Sequence, residues 1–315
     1  MLSSISRRLL ITLPVLFFVT IFNFLIISMA PGDPVDAYFN PYATDTDLAN
    51  RRASLGLDKP MYVQYGVWLG NLLRGNLGFS YTNYEPVTHI LAQRIGPTLL
   101  LMGTAMLVAY LMAIPIGILS ATRQYSVLDY GITGFSFVGI SVPAFFFGLF
   151  GIYIFAVKLH WLPTGGMYRL GGEANFLDRL QHLILPVLVL AAAICGKMAR
   201  YVRSSMLDVL NQDYLRTARA KGLKETVVVG RHALRNALIP IITVIGLDIP
   251  LLIGGAVVTE QIFQWPGIGQ LTIQSIGSRD YPVLMAINLL SAIFVVLANL
   301  LTDIAYRIAD PRIKD

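Results

Sequence analysis

The chain has 315 residues, of which 55% are hydrophobic and only 13% charged, with a mean hydropathy of +0.64. A soluble domain carries about 25% charged residues. The composition therefore excludes a water-soluble globular protein, and with it a nucleic-acid reading of the +6 net charge. The single cysteine, Cys195, rules out an intrachain disulfide and, inside an apolar run, reads as a small packing residue.

A membrane-spanning helix needs about 20 apolar residues. Six stretches meet this approximately: 9–30, 98–121, 131–157, 183–199, 237–258 and 283–306. The first, with Arg7 and Arg8 ahead of it and Ser28-Met29-Ala30 at its end, has the outline of a cleaved signal. Its apolar run exceeds the roughly 7–15 residues of a signal core, and Pro31 would follow the cut, so 1–30 reads as a tail and a retained anchor. Residues 31–97 then form a long loop. It opens with the turn-rich Pro31-Gly32-Asp33-Pro34. Further on, Met61, Tyr65, Trp68, Leu69, Leu72 and Leu73 recur at helical spacing, as in an amphipathic helix that caps the bundle.

Residues 98–306 make a five-helix core, followed by a tail at 307–315. Between its third and fourth spans, residues 208–240 are polar and carry Arg216, Arg219, Lys221, Lys224, Arg231 and Arg235. The wider segment 200–236 reads as helix, Gly222, helix. Cationic loops stay in the cytoplasm. With the N-terminus inside, fifteen of the 24 Lys and Arg residues fall on the inner side. Five of the other nine lie in the 31–97 loop, where length weakens the rule. Both termini are then cytoplasmic, and the expected fold is an all-α integral membrane protein of six transmembrane helices.

Asp248 falls inside the fifth span, with Gly246 beside it and Pro240 and Pro250 on either side. A carboxylate at that depth faces a bundle interior or a water-filled cavity, and the prolines predict a kink. Two readings stand: Asp248 lines a translocation path together with Asn288, or it is a buried group paired with Asn288 or Asn299. Asp303 and Arg307 are spaced as a local anchoring pair, and Asn23 is placed for an interhelical hydrogen bond. The four histidines have no metal-ligand spacing, so no metal site is expected. The chain lacks a phosphate-binding loop, a nucleophile elbow and an H-E-x-x-H pair. It is not expected to be an enzyme, and uphill transport would draw on a partner or an ion gradient.

The polar segment reads Asp213-Tyr214-Leu215-Arg216-Thr217-Ala218-Arg219-Ala220-Lys221-Gly222-Leu223, followed by His232-Ala233-Leu234-Arg235-Asn236-Ala237-Leu238-Ile239-Pro240. It resembles the cytoplasmic coupling motif of ABC importer permeases in the form found in the dipeptide/oligopeptide/nickel subfamily. Arg216-Thr217-Ala218 stands where the broader consensus has Glu-Ala-Ala. Other segments resemble the same subfamily in the same order, among them Leu55-Gly56-Leu57-Asp58-Lys59-Pro60, Ser141-Val142-Pro143-Ala144-Phe145, Glu260-Gln261-Ile262-Phe263, Arg279-Asp280-Tyr281-Pro282 and Asp310-Pro311-Arg312. The long first loop is similar to that of the B-type subunit.

The resemblance implies a type I ABC importer permease fold in a bacterial or archaeal cytoplasmic membrane, forming half of a path for peptides. It implies as partners a C-type permease, two ATPases that hold ATP and Mg, and an extracytoplasmic substrate-binding protein, with no cofactor in this chain and no nucleic acid. Asp213, Tyr214, Arg216, Thr217, Ala218, Arg219, Ala220, Lys221, Gly222 and Leu223 would contact an ATPase. There Gly222 supplies a bend or a close approach, and Ala218 and Ala220 permit tight contact. Nickel and metallophore permeases share these motifs. An ion-coupled secondary transporter is the competing class, although the sequence shows neither a clear internal repeat nor several midplane charges.

Overall fold

The computed structural model describes residues 2–29, 35, 44–169, 171, 175–254 and 256–309. The described residues form helices and no strand beyond an isolated bridge between Phe79 and Pro86. The turn at 31–34, the motif at 310–312 and the side chains of Asp303 and Arg307 lie outside the described set. In chain order come α1 (Leu2–Ser28), α2 (Asp45–Ser54), α3 (Met61–Leu73), α4 (Val87–Thr122), α5 (Val127–Ser141) and α6 (Ala144–Gly151). They are followed by α7 (Phe176–Leu210), α8 (Asp213–Ala220), α9 (Glu225–Val227), α10 (Leu234–Asp248), α11 (Leu251–Gly254), α12 (Val257–Ile262), α13 (Ile268–Gly277) and α14 (Tyr281–Ala309).

Four described helical stretches are long and apolar enough to cross a bilayer: Val87–Thr122, Phe176–Leu210, Glu225–Asp248 and Tyr281–Thr302. The expected span at 131–157 is two helices meeting at 93°. Val142 takes an extended conformation (φ −87, ψ 124) ahead of Pro143, because a proline ring disfavours the helical region for the residue before it. Beyond the break α6 runs into a π-helical stretch, Ile152–Lys158. The 27-residue α1 has its apolar part at Thr12–Ser28. The helices α4 and α7 also outrun their apolar cores. Asn175 caps α7, its side-chain oxygen accepting the Asp178 N–H at 2.7 Å, so the helix starts before the apolar run.

The chain divides into two compact units. The first comprises residues 1–97 and 266–296. Within it Phe24 of α1 packs with Tyr65 and Trp68 of α3 and with Met285 of α14. The amphipathic helix expected from the loop is thus α3, docked by its aromatic stripe on α1. Asn23 donates to the Met285 carbonyl at 2.9 Å, the interhelical bond its position suggests. The buried Asp280 carboxylate accepts from the Ser80 hydroxyl and from the Tyr81 N–H at 3.0 Å.

The second unit comprises residues 98–265 and 297–315 and is organised on α7, which packs against α5, α6 and α10. Its largest core cluster joins Met198, Val202 and Met206 of α7 to Ala109 and Ala113 of α4 and Ala237 and Ile241 of α10, with Cys195 among them. Elsewhere in this unit Glu260 is fully buried and accepts from the Thr98 hydroxyl at 2.7 Å. α4 meets α7 closely at Gly117. A Cβ there would lie 2.6 Å from Val202 Cβ and 2.7 Å from the Ala199 carbonyl oxygen. Backbone on one side leaves no rotamer escape, and overpacking of this kind costs about 1–3 kcal/mol. Gly117→Leu is therefore expected to lower the melting temperature of the detergent-purified protein, and an unchanged melt would show that the two helices separate freely.

Candidate coupling and translocation sites

The segment 213–223 folds as α8 and a tight exit turn. Leu215 is completely buried and Ala218 nearly so, both in the cluster that holds Val202, Met206, Val228 and Ala233. The other face, with Asp213, Tyr214, Arg216, Thr217, Arg219 and Ala220, is exposed, as are Lys221, Gly222 and Leu223. Ala218 therefore serves packing within its own chain and is not available for the partner contact suggested for it; Ala220 remains outside. Gly222 has φ +78 and donates its N–H to the Arg219 carbonyl at 2.9 Å. This is the left-handed residue that closes a helix C-terminus. Nothing lies within 4 Å of where its Cβ would be, so within this chain the glycine is required by the bend and not by crowding.

Polar bonds brace the turn. Arg219 donates from Nε and Nη2 to the two oxygens of Glu225 at 3.2 and 2.9 Å, across the Gly222 bend. Tyr214 accepts from Asn236 Nδ2 at 2.8 Å, tying α8 to the start of α10. Arg216 lies 3.4 Å from Asp213 with both side chains exposed, a pair of little energetic weight. The chain then enters α10 from α9 through a π-helical stretch, Val228–Ala233.

Asp248 is 4% exposed and is the last residue of α10. The helix stops there, and Pro250 separates it from the short α11, whereas Pro240 lies within the continuous α10 and makes no break. Its partners are neither Asn288 nor Asn299. Lys197 Nζ of α7 lies 2.5 Å from Oδ1, and the Tyr110 hydroxyl of α4 donates to Oδ2 at 3.3 Å. Charge counting placed Lys197 on the inner surface. Its ammonium lies instead beside Asp248, which falls near the middle of the expected span 237–258, about 16 Å from that span's inner end at 1.5 Å per residue. Asn288 belongs to the first unit, where it donates to Asn23 Oδ1 at 2.9 Å.

A second buried ion pair escaped the sequence reading. Asp129, in the first turn of α5, is 2% exposed. Arg203 of α7 donates to it from Nε and Nη2, each at 2.8 Å. The Ser120 hydroxyl and the Tyr125 N–H donate to the same carboxylate. Four donors satisfy one carboxylate and join the α4–α5 turn to α7 just before α8. A polar residue at a helix start reads from sequence as an ordinary cap, and nothing in spacing couples positions so far apart.

A set of long apolar helices with an exposed polar helix between two of them has the makeup of a multi-pass membrane protein. Comparison with known proteins identifies the family. Residues 113–315 match the model of the binding-protein-dependent transport system inner membrane component, and residues 1–102 match that of the N-terminal part of such membrane components. The chain belongs to this family. It is 50% identical over 315 residues to the oligopeptide transport system permease protein AppB of Bacillus subtilis, covering all of both chains. It is 43% identical to the di/tripeptide transport system permease protein DppB of Pseudomonas aeruginosa, covering 100% of this chain and 99% of that one. With the glutathione transport system permease protein GsiC of Escherichia coli it shares 41% identity, again over 100% and 99%. The fold is similar to a chain in the inward-facing MetNI methionine ABC transporter, with a TM-score of 0.58 and 18% identity over 72% of this chain and 99% of that one.

Proposed function

We propose that this chain is a permease subunit of an ATP-driven peptide importer and that α8 with its exit turn is where a cytoplasmic ATPase docks. The chain spans a bacterial or archaeal cytoplasmic membrane six times with both termini in the cytoplasm. It forms half of the path beside a second, C-type permease. Two ATPases that bind ATP and Mg drive it, and an extracytoplasmic binding protein delivers the substrate. The observation that carries this reading is the construction of α8: a short helix with a buried underside, an exposed polar face and a φ-positive glycine at its end. The peptide substrate is supported by full-length similarity to permeases named for oligopeptides, di/tripeptides and glutathione.

ATP binding would bring the ATPases together, and α8 would carry that movement into α7 and α10, shifting the permease between inward-open and outward-open states. Asp248 and Asn288 are the polar groups proposed to face the path. Reconstitution of the four-subunit complex with its binding protein tests the proposal. ATP-dependent accumulation of a labelled tripeptide in proteoliposomes is expected. Uptake driven by an ion gradient in the absence of ATP would overturn the importer reading, and uptake of nickel but not of peptide would overturn the substrate.

A further inference from the structure

The Lys197–Asp248 pair can do more than neutralise a buried charge. A lysine ammonium has three donors. One meets Asp248 Oδ1, and among the described residues Lys197 makes no other hydrogen bond or ion pair. The two ends of the pair differ in exposure: the Asp248 side chain is 6% exposed, the Lys197 side chain 44%. Tyr110 holds the second carboxylate oxygen from the buried side, so Asp248 is tethered and the ammonium is its open face.

Open donors on a cation have a large solvation requirement, which hydrocarbon cannot meet. The ammonium lies against Asp248, and Tyr110 binds the same carboxylate; these residues fall near the middle of the expected spans 237–258 and 98–121, about 16 Å from their inner ends at 1.5 Å per residue, well inside the bilayer's roughly 30 Å core. The open face must therefore look into water or onto a polar ligand.

We infer that Lys197, held in place by Asp248 and Tyr110, is a carboxylate-binding residue of the translocation path and receives the free C-terminal carboxylate of a transported peptide. This rests on the peptide-importer reading. The same arrangement opposes a bare divalent cation: the pair's carboxylate is already occupied, and its accessible member carries positive charge. Asp248 is on this account a positioning residue. It holds the lysine ammonium in place from the wall of the same path.

The test uses the reconstituted complex with its loaded binding protein and two probes, a hydrophobic tripeptide and the same peptide with its C-terminus amidated. Selection by the binding protein is common to every permease variant, so it cancels when the free-acid to amide uptake ratio is compared between variants. In the Lys197→Met/Asp248→Asn double variant, which leaves no unpaired buried charge, the ratio is expected to fall at least about tenfold, the scale of one charge-assisted hydrogen bond. Lys197→Arg, which keeps the cation, is expected to retain most of the preference. An unchanged ratio in the double variant, or a parallel loss of both peptides, would overturn the inference. Absence of any ATP-dependent uptake by the unmodified complex would overturn the importer reading beneath it.

Discussion

Gly222→Val is expected to yield a protein that inserts and folds but whose complex imports peptide about tenfold more slowly while still hydrolysing ATP. At φ +78 a side chain meets its own backbone. Left-handed backbone costs an L-residue about 1–2 kcal/mol, and only glycine, asparagine and aspartate adopt it routinely. The surroundings are open, so the variant suffers no clash elsewhere. The turn relaxes instead, and with it the direction in which Leu223 and Lys224 leave α8. A penalty of that size lowers the population of the docking-competent turn about tenfold. Peptide uptake in proteoliposomes should drop by about that factor while protein yield in the membrane holds. Gly222→Asn, tolerant of the same φ, should retain most uptake. Equal uptake by the valine and asparagine variants would show that the turn's shape has no part in coupling.

The second large effect is expected at Asp129. Asp129→Ala leaves the Arg203 guanidinium, the Ser120 hydroxyl and the Tyr125 N–H without their acceptor. Removing one partner of a buried ion pair costs about 3–5 kcal/mol. The lower end applies here because the Arg203 side chain keeps 27% exposure. The purified variant should melt several degrees lower. Asp129→Ala combined with Arg203→Met should recover part of the loss, since the stranded charge is gone. No recovery in the double variant would mean that the ion pair itself, and not the burial of an unpaired arginine, supplies the stability.

The sequence makes the helical elements legible because the bilayer imposes a length and a polarity that few other environments demand. The prolines at 143 and 250 mark real breaks for a local steric reason, and the Gly222 bend follows from a residue type that alone tolerates its φ. Asp248 announces itself by its depth. Its partner does not: Lys197 sits among basic residues that follow the inner-side pattern, and only the packing of α7 against α10 shows that it belongs elsewhere. Ala218 misleads for a related reason. A small residue on a short helix reads the same whether it admits a partner or fills the chain's own core, and the choice depends on which way α8 is rolled. The Asp129–Arg203 pair is invisible because it joins two helices through side chains that each have an ordinary local role.

The burial of Leu215 and Ala218 has a mechanical corollary. They share one close-packed cluster with Val202 and Met206, and such interiors resist compression and pass strain onward. A force on the outer face of α8 therefore finds no soft joint beneath it. The smallest body that can respond is α8 together with the end of α7, so a push on that face is passed on as the tilt of a stiff lever whose far arm is the rest of that long helix.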